Sequence, residues 1–166
     1  TVTGVQTCAL PILTNLPGWS AAGLIALERG LQKESSSESI DFAIREHRSP
    51  SVDYDNAERI AKEAKSLCDI SDSLLIQAEQ MAAASGVQFE INGDLIAAHP
   101  EFANLSQVAS ELKVSVFDLI LSGGEDHAFL ATGNALGFHC IGKVLRGNGI
   151  RLIQVATPQP GWQQFN

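Results

Sequence analysis

Cationic side chains are scarce in this chain. Eleven lysines and arginines stand against 19 aspartates and glutamates, a formal net charge of -8 over 166 residues. That balance argues against non-specific nucleic-acid binding, which relies on an excess of Lys and Arg against phosphates. It leaves room for a nucleotide held through Mg²⁺. Cysteine is scarce too: Cys8, Cys68 and Cys140 are an odd set without CxxC spacing. Neither a disulfide framework nor a zinc motif can be read from them, and a reducing cytoplasm is the expected compartment. No apolar run is long enough to span a bilayer. Internal repeats are missing, and so are the phosphate signatures GxxxxGK[ST] and GxGxxG. If these residues handle ATP, they do so without a P-loop.

What is present is a chain with 45% apolar and 18% charged residues, long enough for one domain with a real core. Thr1 to Ile12 shows no helical or strand periodicity and reads as a non-native leader, set apart from a single domain over residues 13–166. Pro17-Gly18-Trp19-Ser20 reads as a turn into a helix over Ala21 to Gly30, with Ser20 as N-cap and Leu24, Leu27 and Leu31 on one face. Lys33 to Glu38 reads as a loop, Ile40 to His47 as a helix, and Tyr54 to Ser66 as a charged amphipathic helix. Val87 to Ile91 alternates as a strand does, and Leu95 to His99 is irregular. Two further helices are expected over Leu105–Leu112 and Ser115–Leu121, then strands over His127–Thr132, Phe138–Val144 and Ile150–Val155. Helices and strands interleave without strict βαβ alternation, so the fold class is α/β with a mixed sheet, of the α+β kind.

Two acidic turns carry the chemistry. The first is Asp69-Ile70-Ser71-Asp72, between an apolar strand-like stretch and a helix over Ser73 to Ser85 that Gly86 ends. Ser71 or Asp72 fits an ordinary helix cap. Asp69 does not, because it lies between Cys68 and Ile70, where an unpaired carboxylate is costly. A hard cation with oxygen ligands offsets that cost, and a helix N-terminus beside it favours phosphate, so the turn suggests a Mg²⁺–phosphate site. The second turn is Ser122-Gly123-Gly124-Glu125-Asp126, where the glycines permit positive φ or a close backbone approach. Taken alone, its acids read as solvent-facing. His127 reads as a strand histidine, with support of the turn as the alternative. His47, His99 and His139 have no ligand-like neighbours in sequence, and Trp162 near the end reads as a docking residue.

DISD leading into a helix, then Ser85-Gly86-Val87, then SGGEDH before a strand, resembles the C-terminal half of bacterial thiamine-monophosphate kinase. Gly18-Trp19-Ser20-Ala21-Ala22-Gly23-Leu24 resembles the segment joining that family's two domains, and Gly161-Trp162 with Phe165 resembles its aromatic tail, in a style closest to actinobacterial members. The resemblance implies the fold of the aminoimidazole ribonucleotide synthetase superfamily. It also implies transfer of the γ-phosphoryl of ATP to thiamine monophosphate, several Mg²⁺ ions, a homodimer for the full-length protein, and a truncated two-domain kinase. By position, Asp69 and Asp72 would bind Mg²⁺, Ser71 would contact ATP, and Glu125 and Trp162 would bind the thiamine substrate. No side-chain nucleophile is implied, since the substrate's own phosphate attacks. The family commonly has glycine where Ser73 stands, which is tolerable unless the backbone there needs positive φ. The alternatives are another enzyme of the superfamily, such as selenophosphate synthetase or a hydrogenase maturation factor, and a non-enzymatic acidic metal-binding domain.

Overall fold

The structure is a computed structural model that describes residues 9–31, 37–134 and 137–155. In chain order its elements are β1 (Leu10–Leu13), α1 (Trp19–Glu28), α2 (Glu38–Arg48), α3 (Tyr54–Ala61), β2 (Ser66–Asp69), α4 (Leu74–Ser85) and β3 (Gln88–Asn92). There follow α5 (Gly93–Ala97), α6 (Phe102–Glu111), α7 (Val116–Ser122), β4 (Phe129–Gly133), β5 (His139–Cys140), β6 (Gly142–Leu145) and β7 (Gly149–Ile153). The strands form two small sheets. One is antiparallel, in the order β2-β4-β1-β5. The other has the order β6-β3-β7, with β3 antiparallel to β6 and parallel to β7. The mixed helix-and-strand architecture expected from the sequence is therefore present.

The end of the segment set aside as a leader, from Leu10 to Ile12, enters the fold. Leu10 to Leu13 pairs with β4 on one side, and Ile12 and Leu13 with β5 on the other. The reason is burial on both faces of a central strand. Leu13 is fully buried in the main core and Ile12 packs with Ile60 and Ala131 on the opposite face, so no polar residue marks the alternation. Each such side chain contributes about 1.5–3 kcal/mol of burial.

Other boundaries move for local reasons. The helix expected to run to Ser66 stops at Ala61, because Ser66 to Asp69 is drawn into the sheet beside β4; of its expected apolar face only Ile60 is buried, and Ala61 is exposed. Leu95 to His99 is not irregular. It overlaps α5, whose first turn is capped by the Asn92 side chain accepting from Asp94 N–H at 2.8 Å. Phe138 to Val144 splits into β5 and β6, which belong to different sheets. In α1 the buried residues are Trp19 at the start and then the small Ser20, Ala22, Gly23 and Ala26, while Leu24 is exposed. Small residues let α1 lie close against α2, which a leucine face would hold apart. The expected loop over Lys33 to Glu38 lies largely outside the described residues, and Glu38 opens α2.

Candidate functional site

The antiparallel pairing of β2 with β4 continues past both strand ends, and this brings the two acidic turns together. Asp69 is in register with Phe129. Beyond it, Ile70 N–H donates to Ala128 O at 2.7 Å, His127 N–H donates to Ile70 O at 3.0 Å, and Glu125 N–H donates to Ser71 O at 2.7 Å. The approach is close enough to require glycine at 124: a Cβ there would lie 2.2 Å from the Asp72 carbonyl oxygen and 2.7 Å from that of Ser71. Gly124 thus serves contact between the turns, and positive φ falls instead on Glu125 (63°) and His127 (53°). Non-glycine residues in that region store strain, which the surrounding structure must hold.

That hold comes from Asp126. Its carboxylate is 7% exposed and accepts Gly18 N–H at 2.8 Å and Ser20 N–H at 2.9 Å. The helix α1 has Gly18 at its N-cap position, with φ 116° and no side-chain cap of its own. Asp126, from the far end of the chain, supplies the missing acceptor. Ser20, expected as the cap, lies inside the helix, where its hydroxyl meets His47 Nδ1 at 3.1 Å. Burial pushes the Asp126 carboxyl up to about 6, and the N–H groups donated by Ser20, Gly18 and Trp19 restrain the rise. The second turn's two acids therefore differ: Glu125 is exposed, and Asp126 is structural. Nothing local in the sequence distinguishes them, because the partner is a helix start 106–108 residues away.

The first turn is freer. The cap of α4 is neither Ser71 nor Asp72 but Ser73, whose Oγ accepts Ile76 N–H at 3.2 Å. Ser73 has φ -170°, plain extended backbone, so serine carries no strain at the position where the resemblance implies glycine. With the cap made by Ser73, the side chains of Ser71 and Asp72 are released from that duty. Asp72 is exposed, and Ser71 Oγ accepts from Gln77 Nε2 at 3.5 Å.

The joined turns form a wall with a cleft on each side. One, of about 330 Å³, is lined by Ser71, Asp72, Gly124 and Glu125 from the turns and by Ala21, Leu24, Ile25 and His47 from α1 and α2. The exposed Leu24 is thus a cleft residue. The other, of about 380 Å³, is lined by Asp69, His127, Cys68 and Phe129, with Val52 and Tyr54 opposite. Cys68 is half-buried and packs against the main core, and burial with the neighbouring Asp69 charge pushes its thiol up to about 11, which disfavours the thiolate. His127 precedes β4 instead of belonging to it, and its ring stands between Asp69 and Glu125. Sequence reasoning undervalued it, because its proximity to Asp69 arises only when the turns pair. Among the described residues, no group of three or more His, Cys, Asp and Glu is placed to hold a metal ion. An octahedral Mg²⁺ suits such a site, since it takes one or two carboxylates and completes its shell with water and substrate phosphates. Trp162 lies outside the described residues.

Comparison with known proteins agrees with the motifs. No family model matches the chain. It is 34% identical over 164 residues to the thiamine-monophosphate kinase of Corynebacterium glutamicum, covering 89% of this chain and 46% of that protein. It is 40% identical over 91 residues to that of Methanopyrus kandleri, covering 52% of this chain and 28% of that protein. A structure of AaThiL complexed with AMPPCP and TMP superposes with a TM-score of 0.80 at 26% identity, over 98% of this chain and 53% of that one. Escherichia coli HypE, at 15% identity and a TM-score of 0.60, covering 92% of this chain and 48% of its own, shares the fold. The fold is the aminoimidazole ribonucleotide synthetase-like one, and the resemblance to thiamine-monophosphate kinases extends along nearly the whole chain. The chain spans less than half the length of these two curated relatives.

Proposed function

We propose that this chain, from β1 onward, is the C-terminal α/β domain of a thiamine-monophosphate kinase, contributing to ATP-dependent phosphorylation of thiamine monophosphate to thiamine diphosphate. The observation that carries this reading is the backbone contact of the DISD and SGGED turns, which brings Asp69, in one cleft, beside Ser71, Asp72 and Glu125, which line the other. Two polyanions, a nucleotide triphosphate and a phosphate monoester, must meet there. Mg²⁺ ions bound with the nucleotide would neutralise that charge. Asp69 and Asp72 are the carboxylates to hold them, Ser71 offers a hydroxyl to the nucleotide, and Glu125 offers a carboxylate to the cationic thiamine ring. Trp162 would cover that ring. No side chain need act as nucleophile, so these residues bind, orient and exclude water. The compartment would be the cytoplasm, where ATP is supplied. Among the described residues no helix is long and apolar enough to cross a membrane.

Because the chain spans less than half of these relatives, the reading assigns further metal and nucleotide ligands, and the homodimer contact, to an N-terminal domain. The chain by itself is then inactive or nearly so. The test is a kinase assay with thiamine monophosphate and Mg·ATP, on this chain alone and on the full-length protein that carries it. Turnover confined to the full-length protein, and lost in Asp69→Ala and Glu125→Ala, is the expected result. Robust turnover by the chain alone would overturn the division between domains. Full-length activity untouched by both substitutions would favour a non-enzymatic role for this domain.

A further inference from the structure

The His127 side chain lies beside an acid of each turn. Its Nδ1 lies 3.5 Å from Asp69 Oδ2 and its Nε2 lies 3.5 Å from Glu125 Oε2. The ring is about one-third exposed, whereas the carboxylates on either side are half and 70% exposed. Long-range backbone contacts fix its position. His127 N–H is bonded to Ile70 O and Glu125 N–H to Ser71 O, and the buried Asp126 between them is anchored to the start of α1. His127 also adopts φ 53°, a conformation that a histidine would not take up in a plain strand approach. The backbone thus accepts a strained geometry that places one imidazole between two acids facing different clefts.

We propose that His127 is a positioning residue that sets the separation and orientation of Asp69 and Glu125, and so couples the cleft lined by Asp69 to the cleft lined by Glu125. This rests on the reading of Asp69 as a Mg²⁺ ligand and Glu125 as a substrate contact. Exposed carboxylates sample several rotamers, and each must be restrained before it can bind. An imidazole ring carries one N–H donor when neutral and two when protonated, so the rigid ring can orient one carboxylate or both. Phenylalanine preserves the ring and neither contact. Glutamine preserves reach toward one acid at a time.

The experiment is a double-mutant cycle in the full-length protein that carries this chain, with direct calorimetric titration of thiamine monophosphate and, separately, of Mg²⁺ with a non-hydrolysable ATP analogue. His127→Phe is expected to weaken both bindings by about tenfold, the scale at which groups supporting a ligand act. His127→Gln should fall between. In a Glu125→Gln background, His127→Phe should no longer affect thiamine monophosphate, and in an Asp69→Asn background it should no longer affect Mg²⁺. Weakened binding that adds fully to that of the carboxylate substitutions would overturn the proposal, since His127 would then act independently. Unchanged binding in His127→Phe would overturn it as well. Glu125→Gln and Asp69→Asn that themselves leave binding intact would instead overturn the underlying assignment of the two acids. Should His127→Phe unfold the protein, the glutamine variant carries the same cycle, and full affinity in it without coupling to either acid would refute the role.

Discussion

Asp72 and Asp126 are aspartates in turns that touch backbone to backbone, yet one is exposed and the other is 7% exposed. The first turn keeps relaxed dihedrals around a locally capped helix, and presents Asp69, Ser71 and Asp72 to the two clefts. The second has positive φ on either side of a buried carboxylate that holds the N-terminus of a helix distant in sequence. One turn exposes polar side chains to the clefts, and the other fixes where they sit. The division explains why only one of the two acids in the second turn is free to meet a ligand.

Asp126→Ala should break this arrangement most severely. It strands the Gly18 and Ser20 N–H groups at a buried helix start, each costing about 1–3 kcal/mol if nothing replaces the carboxylate. Urea unfolding should show a loss of about 2–4 kcal/mol on that scale. A loss below about 0.5 kcal/mol, the usual range for surface changes, would mean the second turn is not the anchor. Gly124→Ala comes next. The added methyl meets the Asp72 and Ser71 carbonyls, so the turns must separate, at a cost of about 1–3 kcal/mol. Amide exchange at Glu125, whose N–H is bonded to Ser71 O, should rise in this variant while exchange in the β3–β7 sheet stays unchanged.

A smaller effect separates the anchor from a second buried ionisable site. Burial raises the Asp126 carboxyl from 3.8 to about 6, so its favourable contribution is complete below pH 4 and is lost as pH rises through 6. His99 runs the other way. Burial, and then the neighbouring His139 ring, lower it from 6.5 to about 4, so its contribution is complete above pH 6.5 and is lost as pH falls through 4. The two slopes oppose each other between about pH 4 and 6 and partly cancel. Asp126→Asn should leave the histidine slope, with stability dropping more steeply on acidification than in the parent. His99→Gln should leave the carboxyl slope, with stability falling as pH rises from 4 to 6. Parallel pH–stability curves for the parent and both variants would remove the distinction.

The same contrast governs how much was legible in the sequence. The first turn is local chemistry. Apolar Cys68 and Ile70 flank Asp69, and a periodic helix ends at Gly86, so the strand and the helix could be placed from neighbours; Asp69 itself is exposed and does not bear the burial cost those neighbours suggested. Only the cap was misassigned, by one or two residues to Ser71 or Asp72, among several oxygen side chains that suit an N-cap equally. The second turn is long-range chemistry. Asp126 capping α1, His127 meeting Asp69, and Leu24 turning outward to a cleft all depend on segments separated by tens of residues, and composition carries no trace of them. Strand β1 failed for a related reason: a short central strand buried on both faces has no alternation to read.

If the first turn only displays ligands, removing its charges should hardly disturb the fold. Asp69→Asn and Asp72→Asn preserve side-chain size, and both positions are exposed, so each should change unfolding free energy by less than about 0.5 kcal/mol. The expectation is sharper for Asp72, which has left the capping role to Ser73, than for Asp69, which also meets His127. A small gain in either variant would fit, because the substitutions relieve repulsion in a chain of net charge -8. Against that small change in stability, Mg²⁺-nucleotide binding by the full-length protein should fall by at least tenfold, which corresponds to about 1.4 kcal/mol. A stability loss above about 1 kcal/mol in Asp72→Asn, with nucleotide affinity retained, would reverse the roles assigned to the two turns.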